Sequence, residues 1–122
     1  MDKRVLLIED EPNIIEAIRF ILSRAGWRVE THSDGTTAYR RIADTRPDIV
    51  ILDVMLPGRS GFDILRDIRA DAGLGELPVL MLTAKGQTKD RELAERIGAS
   101  RFMAKPFSNT EILASVRELM GA

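Results

Sequence analysis

The chain has 122 residues, enough for one domain, and its 44% hydrophobic and 30% charged residues are typical of a folded globular protein. Eighteen basic and 19 acidic residues give a net charge of -1, which argues against nonspecific binding to nucleic acid or to an anionic membrane. Because there is no cysteine and only one histidine, the sequence excludes disulfide scaffolds, thiolate zinc sites, cysteine nucleophiles and polyhistidine metal sites.

The sequence shows neither a transmembrane segment nor a secretory signal. Its first apolar run, Val5–Ile8, is much shorter than the apolar stretch of a signal peptide, and it ends at Glu9. No later apolar run approaches the length of a membrane-spanning helix. We therefore expect a cytoplasmic protein without a membrane partner.

Short apolar runs alternate with helical patterns along the whole chain. The first, third and fourth runs are nearly continuous Val, Ile, Leu and Met, as in parallel strands buried on both faces. The second run is interrupted by Arg28 and Glu30, which predicts an edge strand. In chain order, we predict a strand over Val5–Ile8, a helix over Asn13–Ala25, a strand over Trp27–Thr31, a helix over Gly35–Asp44, a strand over Ile49–Leu52, a helix over Gly61–Ala70, a strand over Val79–Leu82, a helix over Gln87–Ile97, a strand over Phe102–Ala104 and a helix that follows Ser108.

Local signals mark the helix ends. Pro12 suits the first turn of the first helix and Gly26 its end. Ser108 and Glu111 form a capping-box pattern before the fifth helix. Strict alternation of strand and helix predicts an α/β fold with right-handed crossovers and a parallel sheet covered by helices on both faces. In such a sheet, functional residues lie beyond the carboxyl ends of the strands.

Charged and hydroxyl residues follow the predicted strands at those ends. Glu9, Asp10 and Glu11 follow the first strand, and Asp53 follows the third. Thr83 follows the fourth strand, and Lys105 follows the fifth. If these strands share one edge, the side chains form a pocket of carboxylates with one hydroxyl and one ammonium.

This pocket holds more negative charge than one lysine neutralises. Two carboxylates about 4 Å apart repel by about 4 kcal/mol at an effective dielectric constant near 20. Either raised carboxyl pKa values or a divalent cation must relieve the repulsion. Because the ligands are all oxygens, Mg²⁺ is favoured over Zn²⁺, and Mg²⁺ commonly completes its shell with phosphate oxygens.

Asp53 is the best candidate nucleophile of the cluster. It stands alone at the end of a buried strand, and a carboxylate that attacks phosphorus forms an acyl phosphate. Asp10, with Glu9 acting through water, would hold the metal. Lys105 would pair with phosphoryl oxygens, and the Thr83 hydroxyl would donate to another.

In this order, these residues resemble a response regulator receiver domain of two-component signalling, of the chemotaxis-regulator type. The resemblance covers essentially the whole chain, as a single domain over residues 1–122. The segments that carry it are Val5–Glu11, Asp48–Gly58, Thr83–Lys85 and Lys105–Phe107.

The resemblance implies a flavodoxin-like, doubly wound sheet of five parallel strands in the order 2-1-3-4-5, with five helices. It implies that Asp53 accepts a phosphoryl group from a phosphohistidine on a sensor histidine kinase or a phosphotransfer protein. Mg²⁺ would be bound by Asp10, Asp53 and the backbone carbonyl of Met55, with Glu9 helping. A cis peptide bond is implied before Pro106. Apart from its own phosphorylation and dephosphorylation, the domain would catalyse no reaction.

The resemblance also implies a switch between Thr83 and Phe102. Phosphate would draw the hydroxyl inward, and the ring would move into the vacated space, which alters the face formed by the fourth helix, fifth strand and fifth helix. The output would be a downstream protein target or a fused effector domain beyond Ala122, without direct binding of nucleic acid by this domain. The domain would be a monomer or a phosphorylation-dependent dimer.

Two departures from the family pattern qualify these expectations. Ser100 and Arg101 replace an acidic pair that commonly supports receiver dimers, and Ser115 replaces an arginine, so several of the usual ion pairs between protomers cannot form. Neither Met55 nor Lys85 can orient a hydrolytic water, which predicts slow loss of the phosphoryl group.

Three other functions remain as alternatives. The first is an unphosphorylated protein-binding module on the same fold. The second is an aspartate-nucleophile phosphatase, although Met55 stands where such enzymes need a second acid. The third is flavin binding, although no phosphate loop rich in hydroxyl and glycine residues follows the first strand.

Overall fold

The computed structural model describes residues 3–84 and 88–121. Strands and helices alternate along the chain as predicted, and the sheet is parallel with the order β2-β1-β3-β4-β5. The predicted fold is thus confirmed, with β2 at an edge. The elements are β1 (Arg4–Ile8), α1 (Pro12–Arg24), β2 (Arg28–His32), α2 (Gly35–Thr45), β3 (Ile49–Asp53), α3 (Gly61–Ala70), β4 (Val79–Ala84), α4 (Thr88–Ile97), β5 (Arg101–Lys105) and α5 (Asn109–Met120).

The hydrophobic core forms one layer on each face of the sheet, because successive side chains of a strand point to opposite faces. In β1, Leu6 and Ile8 pack with α2, α3 and α4, whereas Val5 and Leu7 pack with α1 and α5. Every residue of β3 is buried. The continuous apolar strands predicted from the sequence are therefore explained by helices on both sides.

The strands extend further toward their carboxyl ends than predicted. Asp53 is the last residue of β3, and Thr83 and Ala84 belong to β4. Parallel pairing to the neighbouring strand continues through these residues, so the sheet fixes their backbones. Lys85 and Gln87, to which the sequence analysis gave a role in phosphoryl loss and the start of the fourth helix, lie outside the described residues.

Three helix starts near this edge are held by side-chain caps. Asp34 accepts from the Thr36 amide at 3.1 Å, and Ser60 accepts from the Asp63 amide at 3.2 Å. The predicted capping box of α5 is present, with Ser108 and Glu111 bonding each other's backbone amides. Such caps stabilise a helix by about 1 kcal/mol and fix where it begins beside the strand ends.

The Lys105–Pro106 peptide bond is cis, as the family resemblance implied. Within residues 3–84 and 88–121, no helix combines the length and the apolar character needed to cross a bilayer.

Candidate functional site

Side chains from three strand ends meet around the ammonium of Lys105. Its Nζ lies 3.1 Å from Asp53 Oδ1, 2.9 Å from Glu9 Oε1 and 3.0 Å from Glu11 Oε1. The order of the strands explains this meeting, since β1 and β4 flank β3, and β5 lies beside β4. The sequence thus correctly expected Asp53 and Lys105 to converge with the acidic residues after β1.

Glu9 is buried more deeply than a residue that contacts a metal ion only through water needs to be. It is fully buried, and its Oε2 accepts from the backbone amides of Asp10 at 3.1 Å and Glu11 at 3.2 Å. Its other oxygen faces Lys105. Glu9 therefore orients the turn that carries Asp10 and also provides a counter-charge for the lysine.

The electrostatics of the cluster follow from its burial. Burial raises the pKa of the Glu9 and Asp53 carboxyls above their ordinary values, and the nearby Lys105 only partly offsets this effect. Burial also disfavours the charge on Lys105, but close contact with the carboxylates of Glu9 and Glu11 and the field of Asp53 raise the pKa of its ammonium well above the ordinary value. The lysine is therefore charged throughout the physiological range, and the buried carboxylates compete for it.

The carboxylates suit a hard divalent cation. One oxygen each from Glu9, Asp10 and Asp53 lie within 4.8 Å of one another. Among the described residues, this is the single group of three or more potential His, Cys, Asp or Glu ligands at such spacing. Asp10 is exposed whereas Asp53 is buried, so the cluster opens to solvent on the Asp10 side. All-oxygen ligands with excess negative charge match Mg²⁺.

Thr83 is buried near the end of β4, and its hydroxyl is already engaged in a hydrogen bond. Thr83 Oγ1 donates to Asp90 Oδ2 on the first turn of α4 at 3.0 Å. The sequence analysis gave Asp90 no role at this site. No local signal could have shown this contact, because it joins a strand end to the following helix across residues that carry no periodic pattern.

Phe102, the second residue of the predicted switch, is half-buried on β5. The guanidinium of Arg91 lies over its ring, 5.8 Å from the centroid. Both residues line a groove of about 850 Å³ along α4, β5 and the start of α5. The two switch residues thus contact consecutive residues of α4.

The loop between β3 and α3, which carries Met55, is held against α2. The Gly35 amide donates to the Pro57 carbonyl at 2.9 Å, and a Cβ atom on Gly35 would overlap the carbonyl oxygen of Arg59. Gly58, at φ +86°, lies so close to Thr36 that a Cβ atom would overlap its hydroxyl. These glycines permit a close approach that sets the path of the loop, and the sequence analysis did not identify this role.

Comparison with known proteins gives consistent results. The model of one protein family, described as "Response regulator receiver domain", matches residues 5–117. The DNA-binding response regulator MtrA of Mycolicibacterium smegmatis is 39% identical over 117 residues, which cover 96% of this chain and 50% of MtrA. The alkaline phosphatase synthesis transcriptional regulatory protein PhoP of Bacillus subtilis is 37% identical over 120 residues, which cover 98% of this chain and 49% of PhoP.

A solved structure shows the same architecture. The receiver domain of the sensor histidine kinase PA1611 from Pseudomonas aeruginosa superposes with a TM-score of 0.90 at 31% identity, over 100% of both chains. That crystal structure has a magnesium ion coordinated in its active-site cleft. The chain spans about half the length of the curated relatives that it matches.

Proposed function

Because the chain belongs to the response regulator receiver domain family of two-component signalling, we propose that Asp53 is its phosphoacceptor. Receiver domains act as phosphorylation-controlled switches and are generally not classical enzymes. A carboxylate oxygen of Asp53 would form a bond to phosphorus while the phosphorus–nitrogen bond of a phosphohistidine breaks, and the departing imidazole would take up a proton.

The contact between Asp53 and Lys105 is the observation that carries this proposal. Asp53 is 2% exposed, yet its Oδ1 lies 3.1 Å from a charged ammonium. Conversion to an acyl phosphate would leave that ammonium to bond the new phosphoryl oxygens, so Lys105 would stabilise the product. Thr83 would donate its hydroxyl to another phosphoryl oxygen after leaving Asp90.

We propose Mg²⁺ as the cofactor, held by Asp10, Asp53 and the backbone carbonyl of Met55. Glu9 would assist through water and by orienting the turn at Asp10. When bound, the ion supplies positive charge that offsets the negative charge on the transferred group. The chain's own residues bring the phosphoryl acceptor, the ammonium of Lys105 and the hydroxyl of Thr83 to one edge of the sheet.

The biological partners follow from the same proposal. A sensor histidine kinase or a phosphotransfer protein would supply the phosphoryl group in the cytoplasm. Output would pass through the face formed by α4, β5 and α5, to a fused effector domain or to a separate protein target. The half-length match to MtrA, a DNA-binding response regulator, and to PhoP, a transcriptional regulatory protein, supports a fused effector, with residues 1–122 as the receiver unit.

Acetyl phosphate and beryllofluoride provide the direct test. With Mg²⁺, acetyl phosphate is expected to add one phosphoryl group per chain, removable by hydroxylamine and visible in the intact mass. Beryllofluoride, which imitates the acyl phosphate, is expected to bind only with Mg²⁺. A chain that takes up neither reagent would instead support the alternative of an unphosphorylated protein-binding module.

The pH dependence of stability offers an independent prediction. Because the folded-state pKa values of Glu9 and Asp53 are raised, their contribution to stability is complete below the unfolded values near 4 and is lost as pH rises through the raised values. Mg²⁺ favours the ionised carboxylates and should restore this loss. We expect the increase in melting temperature caused by Mg²⁺ to be larger at pH 8 than at pH 5.

Calorimetry in EDTA and in excess Mg²⁺, at matched ionic strength, measures that difference. Sodium chloride in place of magnesium chloride controls for general screening of the charges. An equal Mg²⁺ effect at both pH values would argue against binding through the buried carboxylates.

Gly35→Ala is expected to weaken Mg²⁺ binding, although Gly35 lies on α2. The added methyl group would collide with the backbone of the loop after β3, so the loop that presents the Met55 carbonyl must shift. We expect Mg²⁺ affinity to fall about tenfold, which is the usual size of the loss when the groups that orient a metal ligand are disturbed. Isothermal titration calorimetry on the folded variant measures it directly.

Gly73→Ala is the matched control. A Cβ atom there would meet its nearest neighbour at 3.4 Å, an ordinary contact, and its loop follows α3 at the other end of the sheet. Wild-type Mg²⁺ affinity in Gly35→Ala would show that α2 does not set the geometry of the loop.

A further inference from the structure

We propose that Asp90 is a positioning residue that withholds the Thr83 hydroxyl from the phosphoryl site, and that phosphorylation releases the first turn of α4. The inference rests on the proposed function and extends it to the regulation of the same site.

A threonine hydroxyl has one O–H to donate, and Thr83 donates it to Asp90 at 3.0 Å. A bond from Thr83 to a phosphoryl oxygen would therefore require the bond to Asp90 to break. Asp90 therefore competes with the phosphoryl group for the one hydrogen that the Thr83 hydroxyl can donate.

Packing attaches α4 to the domain less firmly than it attaches α3. Ala94 is the one fully buried residue of its ten, whereas α3, of equal length, buries five. A helix with so little buried apolar surface is held weakly by packing. The bond at its first turn therefore adds a specific attachment of α4 to β4.

Arg91 follows Asp90 and places its guanidinium over Phe102. A shift of the first turn that separates Asp90 from Thr83 would also move Arg91 away from the ring. Adjacent residues of α4 thus hold both halves of the switch in the unphosphorylated arrangement, and both contacts would be lost together.

The broken bond leaves no buried charge behind. Asp90 is only half-buried, and it lies in the first turn of α4, where the helix dipole favours a carboxylate. After release, water can solvate its oxygens. The cost of release is therefore close to that of one hydrogen bond to a charged acceptor in partly solvated surroundings, which is small enough for phosphorylation to overcome.

A double-mutant cycle tests this competition. Beryllofluoride affinity at saturating Mg²⁺ is measured by titration calorimetry for wild type, Asp90→Ala, Thr83→Ala and the double variant. We expect Asp90→Ala to bind roughly fivefold more tightly than wild type, the scale of one net hydrogen bond. In the Thr83→Ala background, the same change should have no effect, since no donor remains to be withheld.

Two further variants and a second readout sharpen the test. Asp63→Ala, which removes the first-turn aspartate of α3, should leave the affinity unchanged. Asp90→Asn, which keeps an acceptor without the charge, should lie between wild type and Asp90→Ala. Hydrogen exchange of the α4 amides should rise in Thr83→Ala without beryllofluoride, and in wild type only with it.

The outcomes separate the two proposals. If wild type binds beryllofluoride but Asp90→Ala binds no more tightly, or gains equally with and without Thr83, the role of Asp90 is disproved and the proposed function stands. If wild type binds no beryllofluoride, the proposed function fails and the inference falls with it.

Discussion

Asp53→Asn is expected to abolish phosphate incorporation from acetyl phosphate while making the cation-free domain more stable. The amide cannot act as the nucleophile, so no acyl phosphate forms at this position. The same change removes one of the buried negative charges that compete for Lys105, while Glu9 and Glu11 continue to pair with it. Loss of function with gain of stability is the signature of a strained functional site.

The stability gain should be about 1 kcal/mol in EDTA, because a neutral isostere relieves like-charge repulsion without emptying the space. Intact mass after acetyl phosphate treatment and chemical unfolding give the two readouts. Asp44→Asn, at an exposed position of α2, is the control and should change neither. Continued labelling of Asp53→Asn at the wild-type level would show that the phosphoacceptor lies elsewhere.

Lys105→Met is expected to cause the largest loss of stability among these variants. The lysine is 15% exposed, and it is the cation in contact with both buried carboxylates, Glu9 and Asp53. Removing one partner of a buried ionic cluster leaves uncompensated charge, which costs about 3 kcal/mol. The variant should also respond poorly to beryllofluoride, because the ammonium that would bond the phosphoryl oxygens is missing.

Measurements of stability at different pH values, with and without Mg²⁺, identify the cause of this loss. If the loss comes from uncompensated carboxylates, it should be smaller at pH 5, where the raised pKa values favour protonation, and Mg²⁺ should recover part of it. Lys3→Met, at an exposed position before β1, is the matched control. A loss independent of both pH and Mg²⁺ would indicate a packing role for Lys105.

Much of the fold could be predicted because its elements are encoded locally. The apolar runs of β1, β3 and β4 and the capping box before α5 depend on residues within a few positions of each other. The predicted boundaries differ mainly at strand ends. Asp53 and Thr83 were expected just beyond their strands, but pairing to the neighbouring strand extends the sheet through both.

The candidate site was partly predictable for a related reason. Side chains at the carboxyl ends of parallel strands share one edge, so the sequence could assemble Asp10, Asp53 and Lys105 without coordinates. It could not show that Glu9 is fully buried between Lys105 and two backbone amides, nor that Asp90 accepts the hydrogen of Thr83. Each of these facts depends on the relative placement of elements.

By itself, the sequence determined which segments become strands and helices and which chemical groups follow each strand, because periodicity and capping act over one or two turns of chain. Only the tertiary structure decided which of these groups and elements contact one another. Lys105 meets Glu11 across 94 positions, and α2 sets the path of the loop after β3. Such contacts depend on strand order, register and the packing of helices on the sheet, which arise when the whole core is buried together and are not carried by any short stretch of residues.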